Sequence, residues 1–386
     1  MLKLPPRRWI SPLAIWAILA AAPAGAAPFI PASGDTVVER LRDRPLDRTD
    51  RELRQWRAAL RRDPGQLTIA LAVARDCIAI ARRDGDPRYT GYAEAALAPW
   101  WNRADAPVAA RLLKAIILQS VHAFDPALRE LDAVLARDPQ NAQAWLTRAS
   151  VLQVQGRYVE AQADCGRLDA GAAAVYGQVC LAELQSLRGA PEPAYRAILQ
   201  ILAQRPDLAG WLHLVEAEVA ERRGDAGNAD LHYRAALGAN ADAYARGAYA
   251  DFLLDHGRAA EVLPLLKGCE RVDPLLLRLA LAYAALGDAR AAAAIADLQA
   301  RFDAARLRGD TVHRREEARF TLELLHDPQR ALQLALDDWQ VQREPADARI
   351  VLAAARAAHR DVQAQEVRRF LADNGVPDVR LDGFRP

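Results

Sequence analysis

A fixed spacing of small residues and glycines runs through most of this chain and limits what it can fold into. In each unit a small residue is followed by a glycine seven positions later, and by another small residue five positions after that. The units are Ala149-Gly156-Ala161, Ala182-Gly189-Ala194, Ala217-Gly224-Ala229, Ala250-Gly257-Val262 and Ala280-Gly287-Ala292. Successive glycines lie 33, 35, 33 and 30 residues apart. A period in the thirties, with helix-compatible sequence between turn glycines, predicts stacked helical hairpins.

The residue types in the unit explain why hairpins would stack. Alanine lets helix backbones approach closely, and glycine relieves the tight turn between two helices. An upstream unit, Ala115-His122-Ala127, keeps both alanines and has a histidine at the glycine position. Because a single hairpin cannot bury its apolar face, we expect neighbouring hairpins to pack into one elongated array instead of several globular domains.

One unit resembles a known family, the tetratricopeptide repeat, which is a pair of antiparallel helices in about 34 residues. The resemblance rests on Pro139 and on the residues that follow it, Trp145, Ala149, Leu152, Gly156, Tyr158 and Ala161. The sequence departs from the family's consensus at Arg148, Leu152 and Cys165. The resemblance implies an all-α fold, a right-handed superhelical solenoid of about nine antiparallel hairpins.

The strength of the repeat divides the chain. It is clearest over residues 108–308, the predicted core array. It is looser over 47–107, which we interpret as degenerate N-terminal repeats. It is looser again over 309–376, which we interpret as degenerate C-terminal repeats with a cap. A helix is predicted from Asp47 to Arg62, because Pro64 just beyond cannot supply a helical N–H. Asn374-Gly375 predicts another helix end before a polar tail over 377–386. Residues 27–46 contain three prolines and predict a linker.

The first 26 residues have the pattern of a secretory signal peptide. Basic residues precede the largely apolar stretch Trp9–Ala22, and Ala24-Gly25-Ala26 supplies a cleavage site after Ala26. An uncleaved membrane anchor is the alternative, and Arg7-Arg8 raises export by the twin-arginine route. Together with an arginine- and alanine-rich composition, this predicts a bacterial protein that is periplasmic or secreted. No later stretch is long and apolar enough to predict a membrane span in the mature chain.

The charge balance argues against nucleic acid as a partner. The full chain carries 51 basic and 50 acidic side chains, and residues 1–26 hold three of the basic ones and no acidic one. The mature chain therefore has 48 basic and 50 acidic groups, a net charge of −2. Binding to phosphates depends on a positive surface excess, which this chain lacks.

The sequence contains no recognisable catalytic or metal-binding motif. The seven histidines never form H-x-x-x-H or H-E-x-x-H and are interpreted as solvated side chains. No nucleophile elbow, phosphate loop or dinucleotide-binding glycine pattern is present. We therefore predict that the protein is not an enzyme, binds no metal and needs no cofactor.

The four cysteines, Cys77, Cys165, Cys180 and Cys269, include no C-x-x-C pair. In stacked hairpins of this kind, Cys165 and Cys180 would lie on neighbouring helices, so an exported protein could join them by a disulfide. The alternative is that all four are buried, reduced side chains.

The resemblance also implies where a partner would bind. In tetratricopeptide arrays the first helix of each hairpin lines a concave groove. Carried onto this sequence, that face selects Tyr176, Glu183, Trp211, Glu218, Tyr244, Asp251 and Asp255. Aromatic side chains supply contact area and carboxylates select basic segments. The alternative is that the aromatic residues pack between hairpins while the acids are solvated.

These observations predict a non-catalytic, exported interaction scaffold. Its partner would be a protein or peptide held in the concave groove, and the carboxylates there would favour a basic segment of that partner. The alternative function is an assembly or maturation factor for an envelope transport or metal-handling membrane complex.

Overall fold

The computed structural model describes Ser33, residues 48–239 and residues 241–384. Over these ranges the chain is helical and contains no β-strand. Contacts divide it into two units, Met1–Arg51 and Glu52–Pro386, and every helix after the first lies wholly in the second unit. The predicted signal peptide, and the predicted linker except Ser33, lie outside the described residues.

Nineteen α-helices follow one another along the described chain. They are α1 (Arg48–Arg62), α2 (Leu67–Asp84), α3 (Pro87–Leu97), α4 (Val108–Ser120), α5 (Phe124–Arg137), α6 (Ala142–Val154), α7 (Tyr158–Cys165), α8 (Ala174–Leu187), α9 (Pro191–Gln204), α10 (Ala209–Arg222), α11 (Ala226–Ala239), α12 (Ala243–Asp255), α13 (Ala259–Leu265), α14 (Asp273–Leu286), α15 (Ala291–Leu307), α16 (Arg314–Glu323), α17 (Pro328–Trp339), α18 (Pro345–Ala357) and α19 (Gln365–Asn374). Short 3-10 helices are Ala98–Trp100, Gly171–Ala173, Pro206–Leu208, Asp361–Ala364 and Val379–Phe384.

Consecutive helices pair into hairpins, from α2 with α3 through α16 with α17, and α18 contacts α19. This confirms the predicted all-α array of stacked hairpins. In the first helices of the central hairpins, the repeat alanines such as Ala149 and Ala217 are fully buried. Their small side chains let the next hairpin approach, as the spacing predicts.

The residue at the predicted turn position has a left-handed backbone. Gly156, Gly224 and Gly287 have positive φ angles of 73°, 77° and 63°. His122, which stands where the upstream unit lacks glycine, has a φ of 56°. Non-glycine residues adopt this region with difficulty, so the backbone at His122 keeps the same turn geometry despite the strain that the side chain introduces.

The last repeat unit differs from the prediction. Ala292 is exposed, and the buried small residue of α15 is Ala294 two positions later. Helix α15 begins four residues after Gly287, whereas α11 begins two residues after Gly224. The two extra turn residues are held by Asp288, whose carboxylate accepts the Arg290 backbone N–H at 2.9 Å.

The helices of the C-terminal hairpins pack back against the middle of the array. The Arg343 backbone N–H donates to the Val154 carbonyl oxygen at 2.7 Å, and Phe370 of α19 lies against the Gly156 turn. Within the predicted polar tail, Val379–Phe384 forms a 3-10 helix and Leu381 is buried. Local repeat patterns carry no information on such distant contacts.

No helix in the described part of the chain is both long enough and apolar enough to span a membrane.

Candidate functional site

An interior cavity of about 850 Å³ lies among the first helices of the hairpins. Helices α8, α10 and α12 contribute to its lining, and so do α14, α16 and α18 from later hairpins. Five of the predicted groove residues line it, namely Glu183, Glu218, Tyr244, Asp251 and Asp255. The volume falls within the roughly 300–1,000 Å³ that ligand pockets usually span.

Two of these acids, Glu183 and Glu218, form the part of the lining that we call the acidic pair. They occupy equivalent positions on α8 and α10 and are partly buried. The Tyr244 hydroxyl donates to a Glu218 carboxylate oxygen at 2.8 Å, and the Gln153 amide lies 3.5 Å from Glu183. Within the described residues neither carboxylate forms an ion pair. The acidic pair therefore offers two carboxyl groups that have no ion-pair partner in the described part of the chain.

Burial and nearby charges shape the ionisation of the acidic pair. Burial raises the pKa of Glu218 to about 7, and the negative charge of Glu183 adds to the effect. Burial also raises the pKa of Glu183. Arg222 opposes both shifts, as it lies close enough to favour the charged carboxylates. A cation placed between the two acids would favour their ionised forms and so bind more tightly as pH rises through 7.

Arg222 is a cation whose charge acts on both acids of this pair, and most of its side chain is buried. The residue is 7% exposed, and its Nε donates to the Ser186 hydroxyl at 3.0 Å. Its Nη2 is buried without a hydrogen-bond partner. Burying a guanidinium that lacks full hydrogen bonding raises the free energy of the folded state. The acids around Arg222 offset part of this penalty by favourable electrostatic interaction.

The other two predicted acids are already paired with arginine. Asp251 binds Arg278 at 2.6 Å and Arg319 at 2.5 Å. Burial alone would raise the pKa of Asp251, but the two guanidinium groups outweigh it and hold the pKa below its usual range. Asp255 accepts from Arg349 of α18 at 2.7 Å, across 94 positions of sequence. These two acids fix later helices in place and are not free to bind a partner.

Tyr176 and Trp211 do not line the cavity. Their ring centroids are 5.4 Å apart, and both rings pack partly buried against the hydrophobic core between α8 and α10. The alternative interpretation, that aromatic residues at helical spacing pack between hairpins, describes them. Tyr244 differs, because its side chain projects into the cavity and is 63% exposed.

Sequence reasoning missed the basic residues that enter the cavity from the C-terminal helices. Arg319 and Arg349 reach acids on α12, and Arg380 lies 3.0 Å from Glu221 on α10. Arg315 and Arg319 stand four residues apart on one face of α16, a spacing visible in the sequence. That spacing could have indicated a charged face, but nothing local indicates which acids it meets.

The histidines are not all solvated, contrary to the prediction. His232 is buried; its Nδ1 lies 2.9 Å from Nδ1 of His213, and its Nε2 lies 2.9 Å from the Tyr195 hydroxyl. Glu216, one turn after His213 on α10, is completely buried, and both of its carboxylate oxygens lack a hydrogen-bond partner. Burial raises the pKa of Glu216 to about 8, although Arg223 partly opposes this. Hairpin packing therefore removes ionisable groups from water on the side of α10 that faces α9 and α11.

Cys165 and Cys180 are joined by a disulfide, with their Cα atoms 5.8 Å apart. The bond links the end of α7 to α8 and closes a loop of 15 residues. Cys77 and Cys269 are free, the first buried and the second partly buried. Over the described ranges, no three histidine, cysteine or acidic side chains come together in a way that could hold a metal ion.

No protein-family model matches the chain, and neither does any curated protein. Solved structures do match it. A tetratricopeptide repeat protein from Parabacteroides merdae is 13% identical, with 60% of this chain and 90% of that chain covered at a TM-score of 0.45. The TPR domain of P58(IPK) is 16% identical, with 87% of this chain and 95% of that chain covered at a TM-score of 0.21.

Proposed function

We propose that this protein is a non-catalytic binding scaffold whose interior cavity receives a positively charged segment of a protein or peptide partner. The observation that carries the proposal is the acidic pair. Asp251 and Asp255 in the same lining bind arginines of the chain, whereas Glu183 and Glu218 form no ion pair within its described part. An arginine or lysine side chain of a partner would supply the missing cation.

The surroundings of the pair support recognition of a segment and not of a bare ion. The cavity offers about 850 Å³, enough for several side chains of an extended segment. Tyr244 adds an exposed aromatic ring beside Glu218, and such rings give large contact area at low entropic cost. Burial makes the electrostatic attraction between an ionised carboxylate and a bound cation stronger than it would be on an open surface.

We also propose that the protein works outside the bacterial cytoplasm, in the periplasm or after secretion. The signal-peptide pattern of residues 1–26 and the Cys165–Cys180 disulfide support this, because disulfides persist in oxidising compartments. The alternative role in assembling an envelope complex would use the same cavity if the basic segment belonged to that complex. Identification of the partner separates the two roles.

The test is capture of partners from envelope extract by residues 27–386. Glu183→Gln with Glu218→Gln should lose partners that the unchanged protein retains, and raised salt should weaken their capture. The control variant, Glu160→Gln with Glu366→Gln, removes two carboxylates whose side chains are 57% and 58% exposed and which do not line the cavity. Equal capture by both double variants would reject the cavity as the binding site.

A further inference from the structure

The last described residues, 376–384, form a segment that we call the C-terminal strap. Its Leu381 is 2% exposed, and Val376 and Asp378 are also buried. A Cβ atom on Gly224, in the turn between α10 and α11, would lie 3.8 Å from the Cβ of Val379. The strap therefore packs against the turn that ends α10, the helix that supplies Glu218 and Glu221 to the cavity.

Arg380 of the strap enters the lining of the cavity. Its Nη1 lies 3.0 Å from Glu221 Oε1, and the Tyr233 hydroxyl donates to the other Glu221 oxygen at 2.8 Å. Asp378 holds the same guanidinium at 2.6 Å and 2.9 Å, which fixes the direction of the side chain. Glu221 lies one helical turn beyond Glu218 on α10, so the strap places a cation on the helix that carries one member of the acidic pair.

The strap is held by contacts that can be released together. Its backbone hydrogen bonds include local ones, from the Leu381 N–H to the Asp378 carbonyl oxygen and from the Val376 N–H to the Leu371 carbonyl oxygen. Arg356 and Arg368 donate to the carbonyl oxygens of Gly383 and Phe384, near the end of the chain. The strap also buries Val376 and Leu381 against the C-terminal helices, so a partner segment must replace both this apolar contact and the Arg380 ion pair in order to displace it.

We infer that the strap is a built-in competitor: it occupies the Glu221 end of the interior cavity with Arg380, and an arginine-bearing segment of the partner displaces it. This rests on the proposed function, since it names the feature by which the partner is recognised. A guanidinium followed by a buried leucine, as in Arg380-Leu381, is the pattern that this surface accommodates. Lysine should replace the arginine poorly, because its ammonium cannot make the planar, forked contacts of a guanidinium.

The strap itself provides the probe. A fluorescein-labelled peptide with the sequence of residues 376–386 is titrated with the full chain, and its fluorescence anisotropy is recorded. Arg380→Ala in the protein weakens the strap and should tighten peptide binding about tenfold, the effect of losing a charge-assisted hydrogen bond. Adding Glu221→Gln to that variant should remove the gain in affinity for the peptide. A peptide that itself carries Arg380→Ala should show no such gain: its affinity for the Arg380→Ala protein should equal its affinity for the unchanged protein.

A second variant tests the opposite change, in which the strap is fixed in place by a covalent bond. The 3.8 Å between Cβ positions of Gly224 and Val379 lies within the roughly 3.5–4.5 Å of disulfides, so Gly224→Cys with Val379→Cys should lock the strap. The lock is made in a Cys269→Ser background, and Gly224→Cys alone is its control. The oxidised lock should bind the peptide at least about tenfold more weakly than its single-cysteine control.

The predicted order of affinity is Arg380→Ala, then the unchanged protein, then the locked protein. Arg360→Ala, at an exposed position near α18, should behave as the unchanged protein does. Equal affinities across the series, or no binding by any member, would overturn the competitor role. If the strap variants behave alike while Glu183→Gln with Glu218→Gln still abolishes partner capture, the proposed function stands and the strap inference falls.

Discussion

Two glycines at the same repeat position should respond differently to the same substitution. Gly156→Ala and Gly287→Ala each place a Cβ at a left-handed backbone, with φ angles of 73° and 63°. The repeat pattern alone predicts equal losses. The structure separates the two sites, because a Cβ on Gly287 meets nothing within 4 Å, whereas one on Gly156 would come within 2.5 Å of the Phe370 ring.

The expected magnitudes follow from that difference. Both substitutions should lower the free energy of unfolding by about 1–2 kcal/mol for the left-handed backbone. Gly156→Ala should add about 1–3 kcal/mol of overpacking, because the Arg343 Cβ lies on the same side at 3.2 Å and limits how far Phe370 can move. Gly156→Ala should therefore loosen α19 from the middle of the array, and Gly287→Ala should leave it in place.

Chemical unfolding gives the two free energies, and hydrogen exchange over residues 365–374 reports α19 alone. Exchange there should accelerate in Gly156→Ala and stay unchanged in Gly287→Ala. Phe370→Ala removes the clash, so in that background the loss caused by Gly156→Ala should fall to the Gly287→Ala value. Equal losses in the original background, or unchanged exchange in α19, would refute the packing of the C-terminal hairpins on this turn.

Three further outcomes are expected. Replacing Cys165 and Cys180 together by serine should lower the free energy of unfolding by about 3 kcal/mol, the entropic effect of a 15-residue loop, and reducing agent should then have no further effect on this variant. His326→Gly and His359→Gly, at exposed turns where both histidines have φ near 54°, should each raise the free energy of unfolding by about 1 kcal/mol because backbone strain is relieved, and so raise the thermal midpoint. Glu216 has its pKa raised to about 8, so its contribution to stability is complete below pH 4.5 and is lost as pH rises to 8. Glu216→Gln should flatten that decline, and denaturation midpoints from pH 5 to 8 that fall as steeply as in the unchanged protein would contradict the assignment.

The hairpins were predictable from sequence because their determinants are local. A small residue, a turn glycine and a second small residue specify two helices and the turn between them, and the buried Ala149 and Ala217 meet that expectation. The pattern failed at Ala292 because Asp288 stabilises a longer turn, an interaction that the spacing of small residues does not encode.

The candidate binding site was predictable only in part. The helix face that carries Glu183, Glu218 and Tyr244 follows from the repeat, and these residues line one cavity. The pairing of Asp255 with Arg349 does not follow, because it joins side chains 94 positions apart and depends on how later hairpins pack. Such distant ion pairs decide which acids of the groove are already neutralised, so only the structure shows that Glu183 and Glu218 are the two without an ion-pair partner among the described residues.

Site-specific photo-crosslinking tests the central claim most directly, namely that a partner's basic segment enters the interior cavity. A photoreactive phenylalanine analogue is placed at Tyr244, which is 63% exposed in the cavity, or at Leu231 on α11, which is 60% exposed and does not line it. Irradiation in envelope extract should join position 244, and not position 231, to a segment that contains arginine or lysine. Adduct formation only from position 231, or equally from both positions, would contradict the claim.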